Sequence, residues 1–123
     1  MPEATYRKLS TAAAAGLLYH ASEMVISLAG EWDIYRREEL QNRLAPARVE
    51  RAVVLDLTSA KYITSTLICA LILTHRERQT RGLPRLVLAV KSAFVRRLLA
   101  ATGLEELLPV YDSVEDAIRG DAA

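Results

Sequence analysis

The chain has 123 residues, of which 51% are apolar and 25% charged, and a formal net charge of +1. That suffices for one domain with its own core and not for two, and near-neutrality argues against nucleic acid or an anionic membrane as the main partner. A lone cysteine, Cys69, excludes an internal disulfide, and no apolar run approaches the ~20 residues of a membrane span.

Residues 1–11 are mixed and polar and read as a lead-in to a domain at 12–120, with 121–123 as a tail. Arg7 and Lys8 ahead of Ala12 to Leu18 imitate a secretory leader, but that run is mostly alanine and Tyr19-His20 follows at once. The chain is therefore expected to be cytoplasmic. Gly16 to Tyr19 reads as a first strand and Met24 to Ala29 as a second, ended by Gly30-Glu31-Trp32-Asp33. Arg36 to Leu44 predicts an amphipathic helix, with Leu40 and Leu44 at i, i+4 spacing and Pro46 to stop it. Ala52 to Leu57 has no polar alternation, as expected of a central parallel strand buried on both faces.

Ser65 to Thr80 predicts a helix closed by Gly82 and Pro84. Arg85 to Val90 reads as a further buried strand. Ser92 then caps a helix that runs to Thr102, where Gly103 stops it. Val110-Tyr111 is a last short strand, and Ser113-Val114-Glu115-Asp116 opens a final helix in the manner of a capping box. The alternation of strands and helices predicts one α/β domain: a mostly parallel β-sheet of four to five strands with about four helices.

The chemistry of catalysis is missing. There is no glycine-rich phosphate loop and no Cys/His cluster with metal spacing, so neither a cofactor nor a metal is expected. His20 and His75 read as rim residues. Ser65 and His75 are separated by ~15 Å of rise on one helix and cannot act together. An enzyme is not expected. Cys69, among apolar neighbours, reads as a buried, inert thiol.

Charge is spread unevenly. Arg76, Arg78, Arg81, Arg85, Lys91, Arg96 and Arg97 stand against Glu77, while residues 105–121 carry six acids against Arg119. Two solvated faces that attract each other weakly, or a basic edge for an acidic partner, both fit. Glu31 and Asp33 either cap the helix that follows or touch a partner.

The stretch from Val53 to Leu73 is the most informative. An apolar strand stops at Asp56, and an apolar helix opens behind three hydroxyl residues, Thr64, Ser65 and Thr66. Hydroxyls there sit beside free backbone N–H groups and the positive end of the helix dipole, a place that tolerates phosphate. Leu67 to Leu73 is apolar on all sides, wider than one sheet face needs, which leaves part of it for a partner or a second copy in a homodimer.

Several short motifs, in order, resemble the STAS family, specifically the bacterial anti-sigma factor antagonists. Gly30-Glu31-Trp32-Asp33 is similar to the family's Gly-Glu-Leu-Asp, and Leu55-Asp56-Leu57 with Tyr62-Ile63 to its Leu-Asp-Leu and Phe-Ile. Arg81-Gly82, Leu86-Val87-Leu88, Val95 to Leu99, Thr102-Gly103-Leu104 and Val114 to Ala117 follow in family order. At the helix start the family's Asp-Ser-Ser/Thr-Gly falls on Thr64, Ser65, Thr66 and Leu67. Thr64 thus replaces the Asp and Leu67 the Gly.

The resemblance implies a non-enzymatic regulator of transcription that switches partners. The unphosphorylated form would bind a GHKL-type anti-sigma factor serine kinase and free a sigma factor. Phosphorylation of Ser65 would end that complex, and a PP2C-type phosphatase would reset it. Glu31, Asp33, Thr64, Ser65, Thr66 and Leu67 are the partner-binding residues this implies. Two other readings stay open: a small-ligand or nucleotide-binding STAS sensor, and a scaffold or transporter-associated STAS subunit that is not phosphorylated.

Overall fold

Period-two alternation sorts the apolar strand residues onto the two faces of a single sheet. Met24, Ile26, Val53, Leu55, Leu86, Leu88 and Val90 face one side with the larger core. Val25, Val54, Val87 and Ala89 face the other with a smaller one. The computed structural model describes residues 6–7 and 23–122. The strand expected at Gly16 to Tyr19 lies outside the described residues, as does His20.

Four strands run parallel: β2 (Glu23–Ser27), β3 (Ala52–Asp56), β4 (Val87–Ala89) and β5 (Val110–Tyr111). A two-residue strand, β1 (Tyr6–Arg7), pairs antiparallel with β2. The sheet order is β1-β2-β3-β4-β5. The fold is thus the α/β class expected. Tyr6–Arg7 pairs as an edge strand within the stretch read from its polarity as lead-in; two residues are too few to carry a period.

The helices are α1 (Arg37–Leu44), α2 (Ser65–Thr80), α3 (Ala93–Thr102), α4 (Leu104–Leu107) and α5 (Val114–Ala122). Residues of α1, α2, α3 and α4 share the larger core, and Ala117 and Ile118 of α5 cover the opposite face of the sheet. Caps follow the expected chemistry. Ser92 Oγ accepts from Val95 N, Ser113 Oγ accepts from Asp116 N, and Gly103 takes the left-handed conformation at φ +80° that ends α3. Pro46 turns the end of α1 into a 3-10 segment at Ala45–Arg48. The single turn α4 was not expected, because four residues carry too little periodicity to read.

Two side chains differ from their expected places. Arg78, expected in a basic edge, is 1% exposed. Its guanidinium donates to the carbonyls of Pro84, Ala47, Glu50 and Arg51 at 2.6–3.0 Å, tying the end of α2 to the approach to β3. His75, expected at the rim, is buried on the same helix. Burial, and then the charges of Arg85, Arg76 and Arg78, lower its pKa.

Candidate functional site

The expected site residues gather where β2 and β3 end. β2 is followed by Gly30, whose φ of +84° allows the turn that presents Glu31 and Asp33. Trp32 between them is 2% exposed and anchors the loop in the core, with the Arg36 guanidinium 3.9 Å above its ring. Arg36 also donates to the Glu31 carbonyl at 3.0 Å and pairs with Glu39. Asp33 accepts from Tyr35 N at 3.0 Å and so caps a 3-10 turn, Ile34–Arg36, that leads into α1. At the end of β3, Asp56 accepts from Thr58 N and Thr58 Oγ1, shaping the turn towards Ala60.

Thr64 joins the two loops. Its hydroxyl donates to the Trp32 carbonyl and accepts from Leu67 N at 3.2 Å, which makes it the N-cap of α2. Tyr62 makes a second link. Interaction with the Glu31 carboxylate raises the pKa of its hydroxyl, helped by desolvation and by the charges of Glu31 and Asp33. The structure therefore brings Glu31, Asp33, Thr64, Ser65 and Thr66 into one neighbourhood.

The three hydroxyls at the helix start are not equivalent. Thr64 is spent as cap and bridge. Thr66 is half-buried and, among the described residues, without a hydrogen-bond partner. Ser65 is exposed, and its hydroxyl has no hydrogen-bond partner among the described residues. Leu67 corrects an expectation: at 2% exposure it belongs to the core and adds no apolar surface. The surplus apolar character of α2 emerges one and two turns beyond Ser65. Cys69, expected to be buried, is exposed, and Leu73 is 58% exposed.

Ser65, Cys69 and Leu73 follow at i, i+4 and i+8, on one face. With Thr66 and Ala70 they form one wall of a groove of about 250 Å³ whose other wall is Ile34, Arg37 and Gln41. Ile34 is 59% exposed, and Tyr35 beside it stands 93% in solvent. Sequence reasoning missed Ile34, Tyr35, Arg37 and the exposure of Cys69, whereas Leu73 lies in the apolar run expected to leave part of itself for a partner. The available signal was two large apolar residues directly after Asp33, in a turn with no core to fill.

Residues 15–109 match the family model of the Mlab STAS domain. The chain belongs to the STAS family. Solved structures agree on the fold. An anti-sigma factor antagonist from Mycobacterium paratuberculosis matches 83% of this chain and 87% of its own, at 20% identity and a TM-score of 0.70. The antagonist SpoIIAA in its unphosphorylated form matches 83% and 90%, at 19% identity and 0.66. A sulfate transporter family protein from Wolinella succinogenes matches 82% and 85%, at 18% identity and 0.63.

In this STAS domain several of the other charges pair with one another. Arg96 of the basic stretch pairs with Asp112 of the acidic one at 2.7 Å, Arg81, directly after α2, pairs with Glu77 of that helix, and Arg119 pairs with Asp116 within α5. The seven-residue basic edge read from the sequence is therefore reduced by Arg78, which is buried, and by these pairs. Among the described residues, no helix is long and apolar enough to cross a membrane, and no group of three His, Cys, Asp or Glu could hold a metal ion.

Proposed function

We propose that this STAS domain is an anti-sigma factor antagonist that binds a GHKL-type anti-sigma factor kinase through the face around Ser65. A phosphate on Ser65 then releases the partner, and a PP2C-type phosphatase removes it. The observation that carries this reading is the distinct state of Ser65 among the three hydroxyls. It is exposed, unbonded among the described residues and flanked by an apolar groove, while Thr64 is occupied and Thr66 half-buried.

The physical logic is desolvation. An unmodified serine beside Ile34, Cys69 and Leu73 can be covered by a partner at little cost. A phosphate adds nearly two negative charges close to Glu31 and Asp33. Burying it against a partner without a matching cation costs several kcal/mol. A loss of ~3 kcal/mol lowers affinity about a hundredfold, enough for a switch.

The test uses the purified chain with the anti-sigma kinase encoded nearest to its own gene. Incubation with ATP should label Ser65 and not Thr64 or Thr66, as read by peptide mass spectrometry. Ser65→Glu should abolish capture of the kinase and leave the melting curve nearly intact, whereas Ser65→Ala should retain capture. Labelling elsewhere, or undiminished capture by Ser65→Glu, counts against the reading.

The alternative is a transporter-associated STAS subunit, and the likeness to a sulfate transporter family protein favours it as a second reading. It predicts a stable complex that ATP does not dissolve. A nucleotide sensor with its pocket near Asp33 and Ser65 has less support, since the groove there, of about 250 Å³, is below the ~300–1,000 Å³ usual for such ligands.

A further inference from the structure

The groove beside Ser65 has a cation on its opposite wall. Arg37 opens α1, is exposed, and forms no ion pair or hydrogen bond among the described residues. Its neighbours are otherwise engaged: Arg36 holds Glu39 and the Glu31 carbonyl, and Arg43 holds Glu39. Besides Arg37 and Ser65, the groove is lined by the apolar Ile34, Cys69, Ala70 and Leu73 and by the polar Gln41 and Thr66. A free guanidinium that shares a mostly apolar groove with a free hydroxyl is an arrangement with half of its charge missing. We propose that Arg37 is the internal receiver of a phosphate on Ser65, and that their pairing closes the mouth of the groove.

The chemistry matches. A guanidinium presents a planar fork of donors that meets two phosphate oxygens at once. A side chain with no present partner loses no bond on turning to the phosphate. The mostly apolar lining of the groove lowers the local dielectric and strengthens their attraction. The opposing charges are Glu31 and Asp33 on the loop after β2, and Glu38 and Glu39 on α1. Glu39 is already neutralised by Arg36 and Arg43. Phosphorylation then acts twice on the same face. It adds charge at Ser65, and it draws Arg37 across the apolar surface of Ile34, Cys69 and Leu73 that a partner would use.

This inference rests on phosphorylation of Ser65, so its test places the modification without a kinase. Phosphoserine is incorporated at position 65 during translation, and the phosphate is titrated by phosphorus NMR. With Arg37 present, its second pKa should lie below the ~6 of an unpaired phosphoserine. Arg37→Gln should raise it by about half a pH unit, the effect of one partly exposed opposite charge. Arg76→Gln, which removes an exposed arginine outside the groove, should leave it low. Matching melting curves establish that the variants fold. The same pKa with and without Arg37, or an equal rise with Arg76→Gln, overturns the proposal. A kinase that never labels Ser65 would instead overturn the partner-switching function and leave this titration unaffected.

Discussion

Thr64 illustrates how one side chain can do two tasks that a sequence motif shows as one. Its position is the N-cap of α2, where Asp, Asn, Ser and Thr all serve. Its second bond, donated to the Trp32 carbonyl, requires a hydroxyl, since an ionised carboxylate only accepts. Thr64→Val keeps the shape and removes both bonds, and should cost about 1–3 kcal/mol in urea unfolding. His75 supplies a pH-dependent counterpart. Its folded pKa is lowered by burial and by three arginines, so the unfolded chain takes up the proton first. Stability is full above the unfolded pKa of ~6.5 and falls as pH drops from there towards the folded value. Urea midpoints for the native chain should therefore decline below about pH 6.5. His75→Gln should flatten that decline.

At the scale of elements, α2 is where periodicity alone misleads. A helix apolar on every side does not reveal which residues face the sheet. The register set by Thr64 turns Leu67, Leu71 and the buried Thr74, His75 and Arg78 inwards, and leaves Ser65, Cys69 and Leu73 outside. Leu67, which replaces a glycine of the family pattern, is consequently a core residue. Leu67→Gly should destabilise by about 3–5 kcal/mol, combining a cavity with the loss of helix propensity. The far end of α2 depends on Arg78, whose acceptors Ala47, Glu50 and Arg51 are about thirty residues away in sequence. Arg78→Met should cost upwards of ~3 kcal/mol in the same assay, because four carbonyls lose their donor. A run of charges in a sequence reads as a solvated face, and nothing local marks the one member that turns inwards.

For the molecule as a whole, the sheet is closed on its second face by α5, and Gly120 makes that closure possible. A Cβ at Gly120 would lie 2.3 Å from the Tyr111 ring, so α5 and β5 meet through a position with no side chain. Gly120→Ala should destabilise the domain by about 1–3 kcal/mol, read as a lower thermal midpoint, although alanine is the better helix former.

Much of the fold is legible in local pattern. Ala52 to Leu57 and Arg85 to Val90 read as buried strands because parallel strands covered on both faces need no polar alternation. Ser92, Ser113 and Gly103 mark helix ends because those residues satisfy the orphan backbone groups locally, and the hydroxyls from Thr64 to Thr66 mark a third without saying which of them is the cap. The neighbourhood of Ser65 is legible in part, through hydroxyls and motif order. The groove is not, because Ile34, Arg37, Cys69 and Leu73 come from two helical segments about thirty residues apart. The sequence by itself determined the class of fold, the boundaries of the longer helices and the three hydroxyls from which Ser65 is drawn, since these depend on local pattern and backbone chemistry. Tertiary structure decided which hydroxyl is both unbonded and exposed, which apolar residues of α2 face solvent and which arginine lines the groove opposite Ser65. Those depend on burial and on contacts between distant segments, which no local pattern contains.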